Sequence, residues 1–274
     1  MESFEIITIE RDGLFTAQKA VCSEIPFTME LNGTEIATVL ASPSNLDELA
    51  IGFLFTSGLI QGKEDIKSLI PDMDSFKVSV RIDGIPDNFV FRRIYTSGCG
   101  RGVIFHNPLD VLGKAPLEDG FTLPASKLVE LMKEFSRNPI SHGESGGVHG
   151  AALASEAEIL IVREDIGRHN AIDKVIGAAL AAGISMHDKV LLTTGRISSE
   201  IFSKVLRARF PVIAALGSAT DQAVKLARVT NITLVSKLKG MRGDIFSAPH
   251  RIQSCSINME ETNMPPLGGS CRAL

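Results

Sequence analysis

The sequence predicts an α/β protein, α+β overall, in which a β-rich N-terminal domain is followed by an α/β domain. Short apolar runs separated by turn residues fill residues 1–115, whereas apolar strands alternate with amphipathic helices over residues 116–253. Such alternation is typical of βαβ units and a largely parallel sheet. Residues 254–274 are rich in Pro, Gly and polar residues, so we expect a poorly ordered tail there.

The N-terminal domain is expected to contain two strand pairs and one helix. FTMEL and TEIATVL flank Asn32-Gly33, a strong two-residue hairpin signal, and SFKVSV and FVFRRIY flank DGIPD. The segment SPSNLDELAIGFLFTSGLI has apolar residues at helical spacing, with Ser44 as the expected N-cap and Gly58 as the expected stop. We expect this helix to be structural.

The second domain begins with PASKLVELMKEFSR, whose apolar residues lie on one helical face. The expected strands that follow are EILIV, KVLLTT, PVIAAL and ITLVS. The expected helices between them are RHNAIDKVIGAALAAG, SSEIFSKVLRAR and TDQAVKLARV. GVHGAALAS is consistent with one further, antiparallel strand.

Charge and composition exclude several classes of function. A net charge of −4 and a pI near 5.9 argue against general binding to nucleic acid or an acidic membrane surface. The first residues lack the pattern of a secretory signal, and no apolar run is long enough to span a membrane, so we expect a cytoplasmic protein. Its four cysteines show no CxxC spacing, so we expect neither disulfides nor zinc.

Polar residues collect after three of the predicted strands, each time directly before a helix. EILIV is followed by REDIGRHN, KVLLTT by GRISS and PVIAAL by GSAT. Helix N-termini offer free backbone N–H groups and a positive dipole end, and an adjacent glycine permits close approach of a phosphate. These segments predict a site for a phosphorylated ligand, with the following candidates: Arg168, His169, Gly195, Arg196, Ser198 and Ser218.

An alternative interpretation remains open for these segments. Ser198, Thr220 and Asp165 could be ordinary N-caps, with Arg163 and Arg168 paired to nearby carboxylates. A fourth basic segment, KLKGMR, follows the last strand and could close over the same ligand or form a solvated basic turn. Its residues are Lys237, Leu238, Lys239, Gly240, Met241 and Arg242.

Two histidines lie in HGESGGVHGAALA, where a Gly-Gly pair indicates a turn or a close backbone approach. His142 and His149 there could be functional, although a lone histidine before an apolar run is more often structural.

Cys99 lies in YTSGCGRG, among three glycines and beside Arg101. An accessible thiol next to a cation is favoured as thiolate, which is the nucleophilic form. The alternative is a tight turn that needs glycine and carries an incidental cysteine. Cys22 lies in the apolar run KAVCSEI and is expected to be buried. Cys255 and Cys271, in the tail, are expected to be incidental.

The motifs YTSGCG, SGGVHGAALA, REDIGRHNAIDKVIGAAL, LLTTGRISSEI and GDIFSAPHRI together resemble the FdhD/NarQ family of formate dehydrogenase accessory sulfurtransferases. The resemblance implies a cytidine-deaminase-like, three-layer second domain and a homodimer. It also implies that a cysteine desulfurase places a persulfide on Cys99. The sulfur then passes to a molybdenum or tungsten bis(pyranopterin guanine dinucleotide) cofactor, a bound substrate, before the cofactor enters apo formate dehydrogenase.

The resemblance further implies that guanine nucleotides bind here and that the cofactor-binding segment falls on residues 237–242. The family pattern is often CxxC, and the second cysteine position is Gly102 here, so a relay through one thiol is expected. Zinc deaminase chemistry is not expected, because His149 is followed by Gly150 and Ala151 and no Pro-Cys pair occurs. A non-covalent cofactor chaperone remains the alternative function.

Overall fold

The structure, a computed structural model, describes residues 2–84, 116–137 and 146–254. Within these residues it contains five α-helices, a six-stranded sheet, a four-stranded sheet and two two-stranded sheets. The predicted mixed α/β class is therefore confirmed. The expected strand FVFRRIY, the segment around Cys99 and nearly all of the expected tail lie outside the described residues.

The chain begins with a hairpin that was not predicted. Strands β1 (Glu2–Glu10) and β2 (Gly13–Val21) pair antiparallel and form a two-stranded sheet of their own. A four-stranded sheet follows, in the order β4-β3-β6-β5. Its strands are β3 (Ile25–Leu31), β4 (Thr34–Ala41), β5 (Ile66–Asp72) and β6 (Lys77–Ile82).

The Asn32-Gly33 turn between β3 and β4 is confirmed. Both central residues have positive φ, 49° and 83°, as a type I′ hairpin turn requires. Along β3, Ile25, Phe27 and Met29 are buried while alternate residues are not, so one face of this sheet packs into the core.

Helix α1 (Leu46–Thr56) lies between β4 and β5. Its N-cap is Asn45 and not Ser44, which corrects the prediction. Asn45 is left-handed, with φ 54°, and its side chain makes no capping hydrogen bond. Asn adopts the left-handed conformation more readily than most residues. The prediction of Ser44 considered only which side chains are preferred at N-caps and not this backbone conformation. Gly58, with φ 81°, follows the helix end as expected.

The six-stranded sheet has the order β13-β12-β11-β10-β8-β9. Strands β10, β11 and β12 are parallel, whereas β8, β9 and β13 are antiparallel to their neighbours, so the extra strand in GVHGAALAS is confirmed. Its strands are β8 (His149–Ala154), β9 (Ile159–Asp165), β10 (Val190–Thr193), β11 (Val212–Ala215), β12 (Thr233–Lys239) and β13 (Arg242–Ser247). A short parallel pair joins β7 (Leu123–Pro124) to β14 (Ile252–Gln253).

Helices cover both faces of this sheet, which gives three layers. Alternate residues of β10 show the division: Leu191 packs with the helices of one face, and Leu192 packs with the helix of the other. The helices of the first face are α3 (Arg168–Ala181), α4 (Ser199–Ala208) and α5 (Asp221–Thr230), and that of the second is α2 (Ala125–Arg137).

One hydrophobic core joins the N-terminal sheet, α1 and the first face of the large sheet. Helices α1 and α3 approach closely because Gly52 and Gly177 lie at their contact. A Cβ built on Gly52 would lie 1.8 Å from the carbonyl oxygen of Asp173, and one on Gly177 would lie 1.9 Å from that of Glu48. The N-terminal region therefore packs onto the second region by direct backbone contact between helices. The boundary at residue 115 stays a prediction.

Candidate functional site

Strand direction brings the candidate residues to one edge of the large sheet. The carboxyl ends of β9, β10, β11 and β12 point to the same edge, and the antiparallel strands β8 and β13 begin there. Ligands bind at this position in open α/β sheets. We call this edge the polar edge, and its residues are His149, Arg168, His169, Gly195, Arg196, Ser198, Ser218, Lys237, Lys239 and Arg242.

Backbone hydrogen bonds hold the loops of the polar edge side by side. The amide of Ile197 donates to the carbonyl of Ser218 at 2.9 Å, and the amide of Thr220 donates back to Ile197 at 3.0 Å. The amide of Lys237 donates to the carbonyl of Gly217 at 2.9 Å. The segments that follow the neighbouring strands β10, β11 and β12 are therefore in contact.

Glycine is required at two positions of this edge. A Cβ on Gly195 would lie 3.0 Å from the Cβ of Arg168, and one on Gly217 would lie 2.5 Å from the carbonyl oxygen of Gly195. Side chains at these positions would separate the loops. The glycines therefore keep three helix N-termini close together, with their backbone N–H groups near one another.

The capping interpretation is correct for part of the edge. The hydroxyl of Ser198 accepts from the amide of Ile201, and that of Thr220 accepts from the amide of Ala223, both at 3.4 Å. Arg163 donates to the carboxylate of Glu48, at 2.6 Å from Nη2, and this bond raises the pKa of the Arg163 guanidinium. Arg163 is therefore a structural residue.

Other cations of the edge form no ion pair with a carboxylate within the described residues. The Nε of Arg168 is buried and makes no hydrogen bond there. Arg196, Lys237, Lys239 and Arg242 are exposed and form no ion pair with any described carboxylate. The four exposed side chains leave unpaired positive charge beside the helix N-termini, an arrangement that suits a phosphorylated ligand. The charge of Arg168 also acts on Glu200 and helps to lower the pKa of that carboxyl.

His169 contacts Glu200 across the first turns of α3 and α4. Its Nε2 lies 3.0 Å from a carboxylate oxygen of Glu200, off the line of an ideal hydrogen bond. This contact lowers the pKa of Glu200, against the opposing effect of burial. The hydroxyl of Thr194 lies 3.5 Å from Nδ1 of His149. Burial, followed by the positive charges of Arg168 and His169, lowers the pKa of His149, which favours its neutral form.

Segment 237–242 forms the turn between β12 and β13 at the polar edge. Lys237 is left-handed, with φ 51°, at an irregularity in the pairing of the two strands, and Gly240 has φ 64°. The side chain of Leu238 is 4% exposed and packs in the core against the α2 face, so it cannot reach a ligand at the surface. Met241 is 92% exposed. Leu238 therefore anchors the turn, and its neighbours face solvent.

Asp165 and Lys174 were not recognised as a pair in the sequence. Their charged atoms lie 2.7 Å apart, and both side chains are fully buried. Asp165 also accepts from the amides of Ser42 and Gly167 and from the side chain of Asn170. These bonds fix the start of α3, and with it Arg168 and His169, against the N-terminal region. A lysine inside the apolar run NAIDKVIGAAL was the available signal.

Of the four cysteines, the structure describes Cys22 alone. Cys99, Cys255 and Cys271, and also His142, lie outside the described residues. Cys22 is partly exposed rather than buried, because β2 ends there and the chain turns toward β3. Its Sγ lies 3.7 Å from the carbonyl oxygen of Gly147, two residues before His149. Cys22 therefore lies beside the segment that leads into β8.

Among the described residues, no group of three or more His, Cys, Asp or Glu side chains could hold a metal ion. No helix in the described part of the chain is long and apolar enough to cross a membrane.

The fold and the polar edge define a three-layer α/β protein with a cationic, glycine-lined edge. The chain belongs to the FdhD/NarQ family, whose sequence profile matches residues 22–253. A sulfur carrier protein FdhD from Shouchella clausii is 35% identical over 240 residues, covering 85% of this chain and 90% of that one. One from Geobacillus kaustophilus is 34% identical over 246 residues, covering 88% and 94%.

The fold is also similar to a solved structure. The crystal structure of a formate dehydrogenase accessory protein from Desulfotalea psychrophila aligns with a TM-score of 0.76 at 28% identity, covering 92% of this chain and 99% of that one. The recognition of the family from sequence motifs is therefore confirmed.

Proposed function

We propose that this protein is a cytoplasmic sulfur carrier for the maturation of formate dehydrogenase, acting through a persulfide on Cys99. Family membership carries the proposal, since relatives that match most of the chain are named sulfur carrier proteins. The donor is a cysteine desulfurase. The acceptor is the molybdenum bis(pyranopterin guanine dinucleotide) cofactor, or its tungsten form, before it enters the apo dehydrogenase.

Sulfur loading needs one nucleophile. The thiolate of Cys99 attacks the terminal sulfur of the desulfurase persulfide, the sulfur–sulfur bond of the desulfurase breaks, and its electron pair leaves on the desulfurase cysteine. The terminal sulfur and its proton are then carried on Cys99. Arg101, two residues further on, favours the thiolate. The new persulfide is presented to the metal centre of the cofactor.

The polar edge supports the second half of the proposal, which is cofactor binding. The guanine dinucleotide carries phosphates, and the edge combines helix N-termini with unpaired cations. Arg168 and Arg196 would bind these phosphates. Lys237, Lys239 and Arg242, on the turn beside them, would close over the same ligand.

Intact mass after incubation with a cysteine desulfurase and cysteine tests the persulfide. A variant with Cys22, Cys255 and Cys271 all changed to serine should gain one sulfur atom and still activate formate dehydrogenase. Cys99→Ser should do neither. Activation by a folded Cys99→Ser variant would contradict the relay and favour a non-covalent cofactor chaperone, and an inactive but folded triple variant would assign the sulfur to another thiol.

A further inference from the structure

Glu200 places a carboxylate among the cations of the polar edge. It lies in the first turn of α4, and its side chain is 24% exposed. An acidic residue in a first turn interacts favourably with the helix dipole, but a carboxylate also repels the phosphates that Arg168 and Arg196 suit. A ligand that binds here must therefore make an interaction with this carboxylate that offsets the repulsion.

Two polar pairs stacked between α3 and α4 hold Glu200 in place. His169 and Asp173 lie four residues apart on α3, as Glu200 and Lys204 do on α4, so each two residues share one helical face. The ammonium of Lys204 lies 2.7 Å from the carboxylate of Asp173, whose side chain is 2% exposed. One turn nearer the polar edge, Nε2 of His169 lies 3.0 Å from Oε2 of Glu200. The buried lower pair therefore fixes the helix spacing at which Glu200 meets His169.

The carboxylate of Glu200 is ionised at neutral pH and can accept further hydrogen bonds. Its contact with His169 lowers its pKa against the effect of burial, and the positive charges of His169, Arg168 and Lys204 add to this effect. No described residue donates a hydrogen bond to Oε1. An ionised carboxylate accepts hydrogen bonds and donates none, so a ligand group that meets Glu200 must be a donor.

Buried polar atoms without a hydrogen-bond partner collect at the same edge. Among the described residues they include Nε of Arg168, Nε2 of His169 and Oγ of Ser236. Ser236 is 1% exposed and lies near the end of β12, on the same face of the sheet as Leu234, which packs with α4 and α5. Buried polar groups normally have partners. These atoms therefore point to a ligand that brings its own donors and acceptors to the edge.

A nucleotide with a guanine base has the groups that this edge requires. Its phosphates suit the cations and the helix N-termini. The N1–H and the 2-amino group of guanine are adjacent donors, which one carboxylate can accept side by side. Hypoxanthine lacks the amino group and offers one donor, and N1 of adenine is itself an acceptor. Among these three purines, guanine is therefore the best partner for a carboxylate.

The sheet order allows base and phosphates to lie at different places along the edge. Glu200 follows β10, whereas Lys237, Lys239 and Arg242 lie on the turn after β12, two strands away. Two strand spacings are about 10 Å, a distance that a nucleoside diphosphate can span. The phosphates can therefore bind toward this basic turn while the base binds at Glu200.

We propose that Glu200 determines the base specificity of the polar edge by accepting hydrogen bonds from N1–H and the 2-amino group of guanine. The inference rests on the proposed binding of a guanine nucleotide at this edge and assigns the residue that distinguishes its base. The contact with His169 fixes the direction of the carboxylate.

Titration calorimetry of the wild-type chain with GDP, IDP and ADP tests the specificity without any substitution. The three nucleotides share ribose and phosphates and differ only in the base. GDP should bind most tightly, IDP about tenfold or more weakly, and ADP more weakly still, because each change removes a donor that the carboxylate accepts. If Glu200 bound the ribose instead, GDP and IDP would bind equally and 2′-deoxy-GDP would bind more weakly, which would overturn the inference.

Glu200→Gln should weaken GDP binding by about tenfold and remove the preference for GDP over IDP, because the amide presents N–H groups to the donors of guanine. The matched control is Asp221→Asn, which removes an exposed carboxylate from the first turn of α5 and should keep the preference.

The opposite result is expected if Glu200 interacts only with His169 and the dipole of α4. Loss of a negative charge near the phosphates would then strengthen GDP and IDP binding equally, which would overturn the inference. Equal binding of GDP and IDP by the wild type would overturn the inference alone. A wild type that binds none of the three nucleotides would overturn it together with the proposed nucleotide binding.

Discussion

The ammonium of Lys174 lies 2.7 Å from the carboxylate of Asp165, and neither side chain is exposed to solvent. Both partners bind the backbone of Ser42, which precedes α1: the amide of Ser42 donates to Asp165, and its carbonyl accepts from Lys174. A buried ion pair is stable only when such bonds satisfy its remaining donors and acceptors. This pair therefore ties the start of α3 to the N-terminal region.

Lys174→Met should destabilise the protein by about 3–5 kcal/mol, because it leaves the carboxylate of Asp165 buried without a cation. The double variant Lys174→Met with Asp165→Asn should recover part of this loss, since no buried charge remains. Urea unfolding measures the free energy of unfolding of the single and the double variant. Lys225→Ala, which removes an exposed pair with Asp221, is the control and should leave the free energy of unfolding unchanged. Equal effects of Lys174→Met and Lys225→Ala would contradict this account.

Gly52→Ala should destabilise the protein by about 3 kcal/mol, because the added methyl group would overlap the backbone of Asp173 and push α1 away from α3. Gly120→Ala is the matched control, since nothing lies within 4 Å of a Cβ at that position. It should be neutral or slightly stabilising. The midpoint of thermal unfolding distinguishes the two. A Gly52→Ala protein as stable as the control would show that the helices can separate without cost.

Acidification should destabilise the wild-type protein through His149. Its folded-state pKa lies below the ordinary value of 6.5, so the unfolded chain binds the proton first as the pH falls. Stability is therefore full above 6.5 and decreases below it. The free energy of unfolding should drop more between about pH 7.5 and about pH 5.5 in the wild type than in His149→Gln. Identical pH dependence of the free energy of unfolding in the wild type and His149→Gln would show that another group causes the loss of stability at low pH.

Arg168→Ala and Arg196→Ala should each weaken guanine-nucleotide binding by about 1–3 kcal/mol, the scale of a lost charge-assisted hydrogen bond. Titration calorimetry measures the affinity of each variant for the guanine nucleotide. Arg81→Ala, an exposed arginine on β6, is the control and should bind as the wild type does. Unchanged affinity in both polar-edge variants would assign these arginines a structural role.

Neutralising Lys237, Lys239 and Arg242 to alanine should impair delivery of sulfur to formate dehydrogenase while Cys99 still accepts one sulfur atom. In the proposed relay, loading needs only the thiol, whereas delivery needs the bound cofactor. Dehydrogenase activation and intact mass report the two steps separately. The control, Lys127→Ala with Lys225→Ala, removes a half-buried lysine from α2 and an exposed lysine from α5 and should impair neither loading nor delivery. Full activation by the triple variant would remove this turn from the site.

Much of the fold can be predicted from local sequence patterns. The Asn32-Gly33 turn follows from the positive φ that both positions require, and the polar edge follows from strand direction once the strands are known. The Asp165–Lys174 pair joins residues whose partner, Ser42, is more than a hundred positions away, and no local pattern encodes that contact.

The β1–β2 hairpin was missed for a different reason. Its apolar residues lie on both faces, so the strict alternation that marks a half-buried strand is absent. Leu238 was assigned to the ligand site with the rest of its segment, because only the structure shows that its side chain turns into the core.

The Gly52–Gly177 contact and the core that surrounds it have a mechanical consequence. Rotating the N-terminal sheet against the six-stranded sheet would separate the two helix backbones and admit water to a continuous interior. A hinge motion between the two sheets would therefore be energetically costly. The segment that contains Cys99 lies between β6 and Leu117 in the chain. Both β6 and Leu117 pack into this same hydrophobic core. The described residues on either side of segment 85–115 therefore belong to one rigid body, in which the two sheets keep a fixed relative orientation.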